Sequence, residues 1–237
     1  MIDKNPQYGF AHRVNDWDVI VDVLDAGKGG GNVAGNGMEC DIGWSTFYDD
    51  WIVSHDSFSI VQPASEYLHE WLGELKKQLS TGKYDNSFAA LWLDIKTPNA
   101  RDYVAEKYKA KASLLHVMDL VRKNVPSSVA VIYDLQGKES FGLNGGKTTG
   151  YDTIKNKLLA NEGIAVWADV GEAKWISALY EKFKKDKVVR TVMQHGNAVN
   201  IDETVLTEIN KPKYHNKNDP FRFKKVCTCT NSQLSAM

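Results

Sequence analysis

Two stretches decide the fold class of this chain, SFAALWLDI at residues 87–95 and SVAVIYDL at residues 128–135. Each is a short and nearly continuous apolar run, which is typical of a strand buried on both faces of a parallel sheet. Segments of helical period lie beside them, from about Ala64 to Leu79 and from about Ala100 to Lys123. Strands that alternate with helices predict a parallel sheet wrapped by helices.

The same alternation continues in both directions along the chain. Further strands are predicted at Tyr8–Ala11, Gly37–Ile42, Trp51–Val53, Ile164–Val170 and Val188–Met193, and further helices begin near Trp17, Tyr151 and Glu172. These units, roughly five or six in number, favour an α/β fold of the TIM-type (β/α) barrel. From about Asn210 the sequence is polar and shows neither the two-residue period of a strand nor the 3.6-residue period of a helix. A complete barrel would need about two more strand–helix units there. We therefore predict a barrel-like domain at residues 1–209, incomplete or distorted at its C-terminus, and an irregular polar tail at residues 210–237.

Composition excludes several classes of function. The chain has 237 residues with 29 basic and 30 acidic side chains, so no overall charge attracts it to nucleic acid or to an anionic membrane. Its three cysteines suit neither a disulfide framework nor structural zinc. No apolar run is long enough to predict a membrane span. The first residues lack the apolar core of a signal peptide, which leaves a cytoplasmic location and secretion after signal removal both open.

In a barrel the reactive groups lie at the carboxyl ends of the strands. This rule selects His12, Glu39, Asp41, His55, Asp56, Asp94 and Lys96. Glu39 and Asp41 are two residues apart and face the same side of a strand, and Asp94 can add a third carboxylate from a neighbouring strand. Three oxygen ligands suit Mg²⁺ or Ca²⁺ better than zinc. A solvated strand edge is the alternative interpretation of the E-x-D pattern.

Histidine is scarce in this chain, yet His12 and His55 fall at predicted strand ends on either side of the carboxylate pair. Beside a divalent ion, one imidazole can take a proton from an attacking hydroxyl or water, and the other can give a proton to the leaving oxygen. The ion and Lys96 would hold the charge that develops on the phosphoryl oxygens. These residues predict a phosphodiester-cleaving site. His195 also ends a predicted strand, but an ordinary turn explains it equally well.

The sequence resembles a known family in four ordered segments: FAHRVNDWDVIVDVLDAG from residue 10, NGMECDI from residue 36, the histidine of SHD at residues 54–56, and LWLDIKTPN from residue 91. The family is the sphingomyelinase D/phospholipase D group of the glycerophosphodiester phosphodiesterase superfamily. The chain is most similar to the fungal and bacterial members and more distant from the spider-venom enzymes. The resemblance implies a distorted TIM barrel, secretion, and a phospholipid or sphingolipid substrate at a membrane or micelle surface.

The resemblance also implies roles for the selected residues. His12 and His55 match the two catalytic histidines, Glu39, Asp41 and Asp94 match the Mg²⁺ ligands, Lys96 matches a lysine that contacts the substrate phosphate, and Asp56 is a weaker match that would orient His55. Family members release the headgroup alcohol, choline from sphingomyelin or lysophosphatidylcholine. They commonly leave a cyclic phosphate, because a substrate hydroxyl attacks its own phosphorus.

Access to a lipid requires exposed apolar rings around the mouth of the site. Trp44, Phe47, Tyr48 and Trp51 are placed to provide them, and packing of these rings within their own loop is the equally weighted alternative. Two other functions stay open. One is a glycerophosphodiester phosphodiesterase that acts on soluble headgroup diesters, and the other is a shortened, non-catalytic lipid-binding homologue.

Overall fold

A nine-stranded, mostly parallel sheet forms the centre of this computed structural model, which describes residues 10–28, 36–55, 66–84, 87–195 and 202–228. Its strands are β1 Phe10–Ala11, β2 Gly37–Ser45, β3 Asp50–Val53, β4 Glu66–Tyr67, β5 Ala90–Ile95, β6 Ala130–Asp134, β7 Glu162–Ala168, β8 Thr191–His195 and β9 Phe223–Thr228. Its helices are α1 Trp17–Lys28, α2 Leu68–Leu79, α3 Leu114–Asn124, α4 Thr149–Ile154, α5 Ala173–Lys185 and α6 Glu203–Ile209. The predicted α/β class is confirmed.

The parallel strands of the sheet follow the order of the chain. β1, β2, β5, β6, β7, β8 and β9 lie side by side, each parallel to the next. β3 departs from this rule, because it returns antiparallel to β2 and pairs Val53 with Ile42, and β4 extends this antiparallel edge. The predicted strand at Trp51–Val53 is therefore the second arm of a hairpin and not a barrel strand.

Alternate residues of the strands pack into two separate clusters. On β2, Met38, Cys40 and Ile42 belong to the main core together with residues of the helices. A second, inner cluster contains Phe10, Trp92, Ile132, Ala165 and Val192, which come from β1, β5, β6, β7 and β8. The rings of Phe10 and Trp92 meet edge to face with their centroids 5.4 Å apart. A flat sheet cannot bring β1 and β8 into one cluster, so this sheet curls as a barrel does.

The curled sheet does not close within the described residues. β9 pairs with β8, and no pairing between β9 and β1 joins the two ends in this part of the chain. The predicted fold, a barrel that is incomplete at its C-terminus, agrees with this arrangement. None of the helices in the described ranges is long and apolar enough to cross a lipid bilayer.

The C-terminal segment differs from the irregular tail expected at residues 210–237. It contains a short 3-10 turn at Pro212–Tyr214 and then strand β9. Tyr214 and Phe223 are buried, and their rings pack against Tyr180 of α5 with centroids 5.1 and 5.8 Å from it. The strand was not recognisable from its sequence, because two adjacent lysines break the apolar run that marks a buried strand. The domain boundary at residue 209 stays a prediction.

The helix predicted from Ala100 to Lys123 forms only in its second half. α3 begins at Leu114 because Ser113 caps it, and the Ser113 hydroxyl accepts a hydrogen bond from the N–H of Leu115 at 3.3 Å. The preceding residues form two short 3-10 turns that are separated by extended backbone at Ala105. The apolar spacing in this region therefore reports burial of the chain but not a continuous helix.

A buried ion pair ties α3 to the start of β7, at the amino ends of the strands. Glu162, whose side chain is 1% exposed, accepts hydrogen bonds from Arg122 Nε and Nη2 at 2.8 and 2.7 Å. It also accepts from the Tyr133 hydroxyl at 3.2 Å and from the N–H of Leu159 at 2.7 Å. A buried charge with this many partners is tolerated, but removal of one partner leaves the others unsatisfied.

We expect Glu162→Ala to lower the free energy of unfolding by about 3 to 5 kcal/mol, because Arg122 and Tyr133 lose their shared acceptor inside the protein. Urea denaturation measures this change. Glu74→Ala is the matched control, since Glu74 pairs with Lys77 on the surface of α2, and its loss should cost less than about 1 kcal/mol. Equal losses in the two variants would contradict the role assigned to Glu162.

Candidate active site

Three acidic side chains meet where the first half of β2 lies beside β5, with Asp94 near the carboxyl end of β5. Glu39 and Asp41 lie on the face of β2 opposite Cys40, and the parallel register sets Asp94 directly beside Asp41. Each of the three offers a carboxylate oxygen, and these oxygens lie within 4.8 Å of one another. The structure thus brings together the three carboxylates that the sequence analysis selects.

The edge of β2 is divided between two neighbours at this point. β1 pairs with its first residues, Gly37 and Met38, whereas β3 pairs only from Ile42 onward. In the gap between them, the carbonyl of Glu39 accepts from the N–H of Val14 at 2.8 Å.

The backbone groups of Asp41, in the same gap, also find partners in the two loops. Its carbonyl accepts from the N–H of Ser54 at 3.0 Å, and its N–H donates to Asn15 Oδ1 at 2.9 Å. The loops that follow β1 and β3, which carry His12 and His55, are therefore bonded to the backbone of the carboxylate-bearing residues. This arrangement delivers both histidines to the acids.

Each carboxylate is oriented by a neutral donor. Glu39 Oε2 accepts from the N–H of Arg13 at 2.8 Å, and Asp41 Oδ2 accepts from Asn15 Nδ2 at 2.8 Å. Asp94 Oδ1 accepts from the side-chain amide of Gln136, which follows β6. Asn15 and Gln136 are absent from the residues that the sequence analysis selects. The strand-end rule could have found Gln136, because it lies two residues after the end of β6.

Lys96 supplies positive charge within the acidic group. Its ammonium lies 2.7 Å from Asp41 Oδ1 and 2.6 Å from Asp94 Oδ2. Burial alone would lower the pKa of Lys96, but the two carboxylates raise it above its ordinary value. Lys96 is therefore charged at neutral pH and can neutralise an anionic group that approaches the acids.

Both predicted histidines lie beside this group. His12 follows β1, and its Nε2 is 3.4 Å from Glu39 Oε2. Burial lowers the pKa of His12; the charge of Asp41 acts against this effect, and the charges of Arg13, Lys96 and His55 add to it. His55 follows β3 and is half-buried. It lies close enough for its charge to act on both His12 and Asp94. Two imidazoles, one exposed and one half-buried, thus share the neighbourhood of the acids.

Asp56 and His195 lie at or beyond the limits of the described residues. Asp56, the predicted orienting partner of His55, lies outside the described residues. His195 ends β8 as predicted, but its side chain is also outside the described part of the chain.

Burial makes Glu39, Asp94 and Asp134 resist ionisation. It raises the pKa of Glu39 to about 8, and the charges of Asp41 and Asp94 add to the effect. Burial likewise raises the pKa of Asp94. Asp134, at the end of β6, has its pKa raised to about 8 by burial and by the nearby Asp94. Acids that are held together at this cost are typical of a functional site.

The ligand atoms of Glu39, Asp41 and Asp94 suit a divalent cation. The three close ligand atoms are all carboxylate oxygens, which hard cations such as Mg²⁺ prefer. Asp41 Oδ1 is buried without a hydrogen bond of good geometry, although the Lys96 ammonium lies 2.7 Å away. A positive ion held between these oxygens would relieve the repulsion among the three carboxylates, which adds to the effect of burial on the pKa of Glu39 and of Asp94.

A cleft of about 430 Å³ opens beside the acids, and Lys96 and Gln136 form part of its wall. Its other lining residues include the apolar Trp44, Pro98, Ala100 and Val104 and the polar Thr97, Asn99 and Ser140. A mixed wall of this kind can hold a polar headgroup together with a short apolar segment.

The four aromatic residues near the site separate into two groups. Trp44 and Trp51 are buried, and their rings pack edge to face with centroids 6.1 Å apart. Phe47, in the turn between β2 and β3, is 57% exposed, and its ring meets Tyr48 at 4.9 Å. Packing therefore explains the two tryptophans, whereas Phe47 is available for contact with another molecule.

We expect the affinity for a divalent cation to rise with pH. The pKa of Glu39 is about 8 in the folded protein against an ordinary value of 4.5. Without a cation, the stability that this group contributes is fully present below about pH 4.5 and is lost as pH rises through 8. A cation binds the ionised form, so its affinity should increase by up to about tenfold per pH unit between pH 6 and 8.

Thermal unfolding with and without Mg²⁺ at pH 6 and pH 8 measures this effect. The gain in Tm should be larger at pH 8, and Glu39→Gln should lose the gain at both pH values. Glu74→Gln on the surface of α2 serves as the control and should retain it. A gain in Tm that is the same at both pH values, or one that Glu39→Gln retains, would rule out a cation at these acids.

The chain was compared with known protein sequences, structures and families. No curated protein sequence matches the chain. Among solved structures, the glycerophosphodiester phosphodiesterase of Thermotoga maritima is similar, with 12% identity, a TM-score of 0.40, and coverage of 94% of this chain and 95% of that chain. A likeness at this level carries no argument about function.

The family comparison is stronger. The sphingomyelinase D/phospholipase D family model matches residues 2–218. It supports a phosphodiesterase activity of the phospholipase D type and a lipid substrate. A match over this length shows that the chain belongs to the sphingomyelinase D/phospholipase D family.

Proposed function

We propose that this protein is a Mg²⁺-dependent phospholipase D that releases choline from sphingomyelin or lysophospholipids. One observation carries the proposal. The carboxylate oxygens of Glu39, Asp41 and Asp94 lie within 4.8 Å of one another, and the ammonium of Lys96 contacts two of these acids. His12 and His55 lie beside the same group. A phosphodiesterase needs a base, an acid and positive charge at one place, and this group contains all three.

The proposed reaction uses the two histidines in turn. One imidazole takes the proton from a hydroxyl of the substrate, and the oxygen of that hydroxyl forms a new bond to phosphorus. The bond between phosphorus and the headgroup oxygen breaks, and the second imidazole gives its proton to the leaving alcohol. The products are choline and a cyclic phosphate, and no water is consumed.

The charge on the phosphoryl oxygens must be balanced while these bonds change. Lys96 can approach an anionic phosphate because it forms part of the wall of the cleft. Glu39, Asp41 and Asp94 would hold Mg²⁺, which when bound supplies further positive charge to the phosphoryl group. The hydrogen bonds from Arg13, Asn15 and Gln136 keep the three acids in their orientations.

The hairpin turn between β2 and β3 supports a lipid-surface substrate. Thr46 lines the cleft, and the next residue in the turn, Phe47, exposes an aromatic ring. Tyr48 joins Phe47 to Tyr67 at the end of β4, with ring centroids 4.9 and 5.7 Å apart in succession. A ring held in this way can enter the apolar boundary of a membrane or micelle without reordering the loop.

We expect His12→Ala and His55→Ala each to lower choline release from sphingomyelin by at least about 100-fold, because each removes one proton-transfer group. Phosphorus NMR of sphingomyelin and lysophosphatidylcholine incubated with Mg²⁺ reports cleavage and cyclisation together. A chelator should stop the reaction. His69→Ala, which alters an exposed histidine on α2, is the control and should retain full activity.

Full turnover by either active-site variant would overturn the proposed catalysis. Cleavage of glycerophosphocholine in preference to micellar lipid would indicate the soluble-substrate phosphodiesterase instead. Binding of lipid with no product after long incubation would indicate a non-catalytic homologue.

We expect Phe47→Ser to weaken binding to sphingomyelin vesicles by about tenfold or more, since an inserted phenyl ring contributes roughly 1.5 to 3 kcal/mol. Vesicle sedimentation measures the binding. Leu159→Ser is the matched control, because Leu159 is 48% exposed and lies beside Glu162 at the amino ends of the strands. If the two variants bind vesicles equally, Phe47 does not contact the lipid surface.

A further inference from the structure

Gln136 adopts a backbone conformation that glutamine rarely takes. Its φ is 66°, in the left-handed region where glycine is the usual residue. The next residue is a glycine, Gly137, yet its φ of −73° is ordinary. The left-handed conformation therefore falls on Gln136, although the adjacent residue is a glycine that could adopt it without strain. Strain of this kind is often found where a side chain has a role in function.

Three contacts hold Gln136 in this conformation. Its N–H donates to Asp134 Oδ1 at 2.9 Å, and its carbonyl accepts from the N–H of Trp167 at 3.2 Å. Its side-chain amide donates to Asp94 Oδ1. Asp134 is itself held by Trp92, whose Nε1 donates to Asp134 Oδ2 at 3.2 Å. The backbone of the turn after β6 is therefore held by Asp134 and Trp167, independently of the contact between the Gln136 side chain and Asp94.

The contact with Asp94 completes the orientation of that carboxylate. Lys96 occupies Asp94 Oδ2, and Gln136 occupies Asp94 Oδ1. Donors to Glu39 and Asp41 come from the loop after β1 on one side of the site. Gln136 reaches Asp94 from β6, on the other side. Without it, Asp94 would be held by Lys96 alone among the contacts of the described residues and could rotate about its side-chain bonds.

We propose that Gln136 is a positioning residue for Asp94, and that the left-handed turn after β6 exists to bring its amide to that carboxylate. The proposal rests on the metal-assisted function proposed above. Hydrogen-bond partners of metal ligands fix the direction of the ligand atoms, and their loss commonly weakens metal binding by about 10- to 100-fold. Gln136 acts through Asp94.

Two variants separate this role from a purely structural one. Gln136→Gly removes the amide but suits the left-handed backbone, so it should fold at least as well as the natural sequence, with Tm raised by up to about 4 °C. Gln136→Met keeps the strain and the size of the side chain but donates no hydrogen bond, so its Tm should fall or stay unchanged. Both variants should bind Mn²⁺ about 10- to 100-fold more weakly.

Mn²⁺ binding is measured by electron paramagnetic resonance of the free ion, which needs no turnover. Lys187→Gly is the matched control, because Lys187 has a φ of 59° in the connection between α5 and β8. It should raise Tm in the same way and leave the Mn²⁺ affinity unchanged. Gln78→Ala, which removes an amide–carboxylate hydrogen bond to Glu74 on α2, should also leave it unchanged.

The outcomes distinguish this inference from the function on which it rests. Weaker Mn²⁺ binding in both Gln136 variants, with Tm raised in Gln136→Gly and not raised in Gln136→Met, supports the positioning role. Unchanged Mn²⁺ affinity in Gln136→Gly overturns the inference and leaves the metal site intact. An affinity that follows Tm across the variants also overturns it. Absence of Mn²⁺ binding in the natural sequence overturns both the metal site and this inference.

Discussion

The candidate site depends on the divided edge of β2. Where β1 has ended and β3 has not yet begun, the backbone of Glu39 and Asp41 is bonded by the two loops that carry His12 and His55. Buried backbone groups must find partners, because an unpaired one costs as much as a lost hydrogen bond. The loops are therefore held at the acids by the requirements of the main chain. The same hydrogen bonds that complete the sheet bring imidazoles from two distant segments to the carboxylates.

The two ends of the sheet treat buried charge in different ways. At the amino end of β7, the Glu162 carboxylate accepts hydrogen bonds from Arg122 and from neutral donors, so its buried charge has partners. Near the carboxyl end of β5, the ammonium of Lys96 contacts two of the three acids, Asp41 and Asp94, and burial raises the pKa of Glu39 to about 8. This second group opposes folding, and the extensive apolar packing between sheet and helices offsets it. Barrels commonly carry stabilising residues at the amino ends of their strands and functional residues, which can cost stability, at the carboxyl ends.

The sequence was informative where the chemistry is local. Alternation along β2 predicted that Glu39 and Asp41 share a face, and the apolar run of β5 led to Asp94. The hairpin formed by β3 was not predictable, because a short apolar strand has the same pattern in parallel and antiparallel pairings. β9 was not predictable either, because Lys224 and Lys225 break its apolar run. The place of Gln136 just after β6 marks it as a strand-end residue, but its role depends on a φ of 66° and on a contact with Asp94, 42 residues away, which no local pattern reports.

The short length of β4 and the composition of β9 have a consequence for behaviour at high concentration. β4 has two residues, and it stands at one end of the strand order. β9 stands at the other end and includes Lys224 and Lys225. Brief or lysine-bearing terminal strands offer a poor template for strands of other molecules, which is how natural sheets avoid aggregation. Copies of this protein can therefore approach one another closely at high concentration without pairing edge to edge into fibrils.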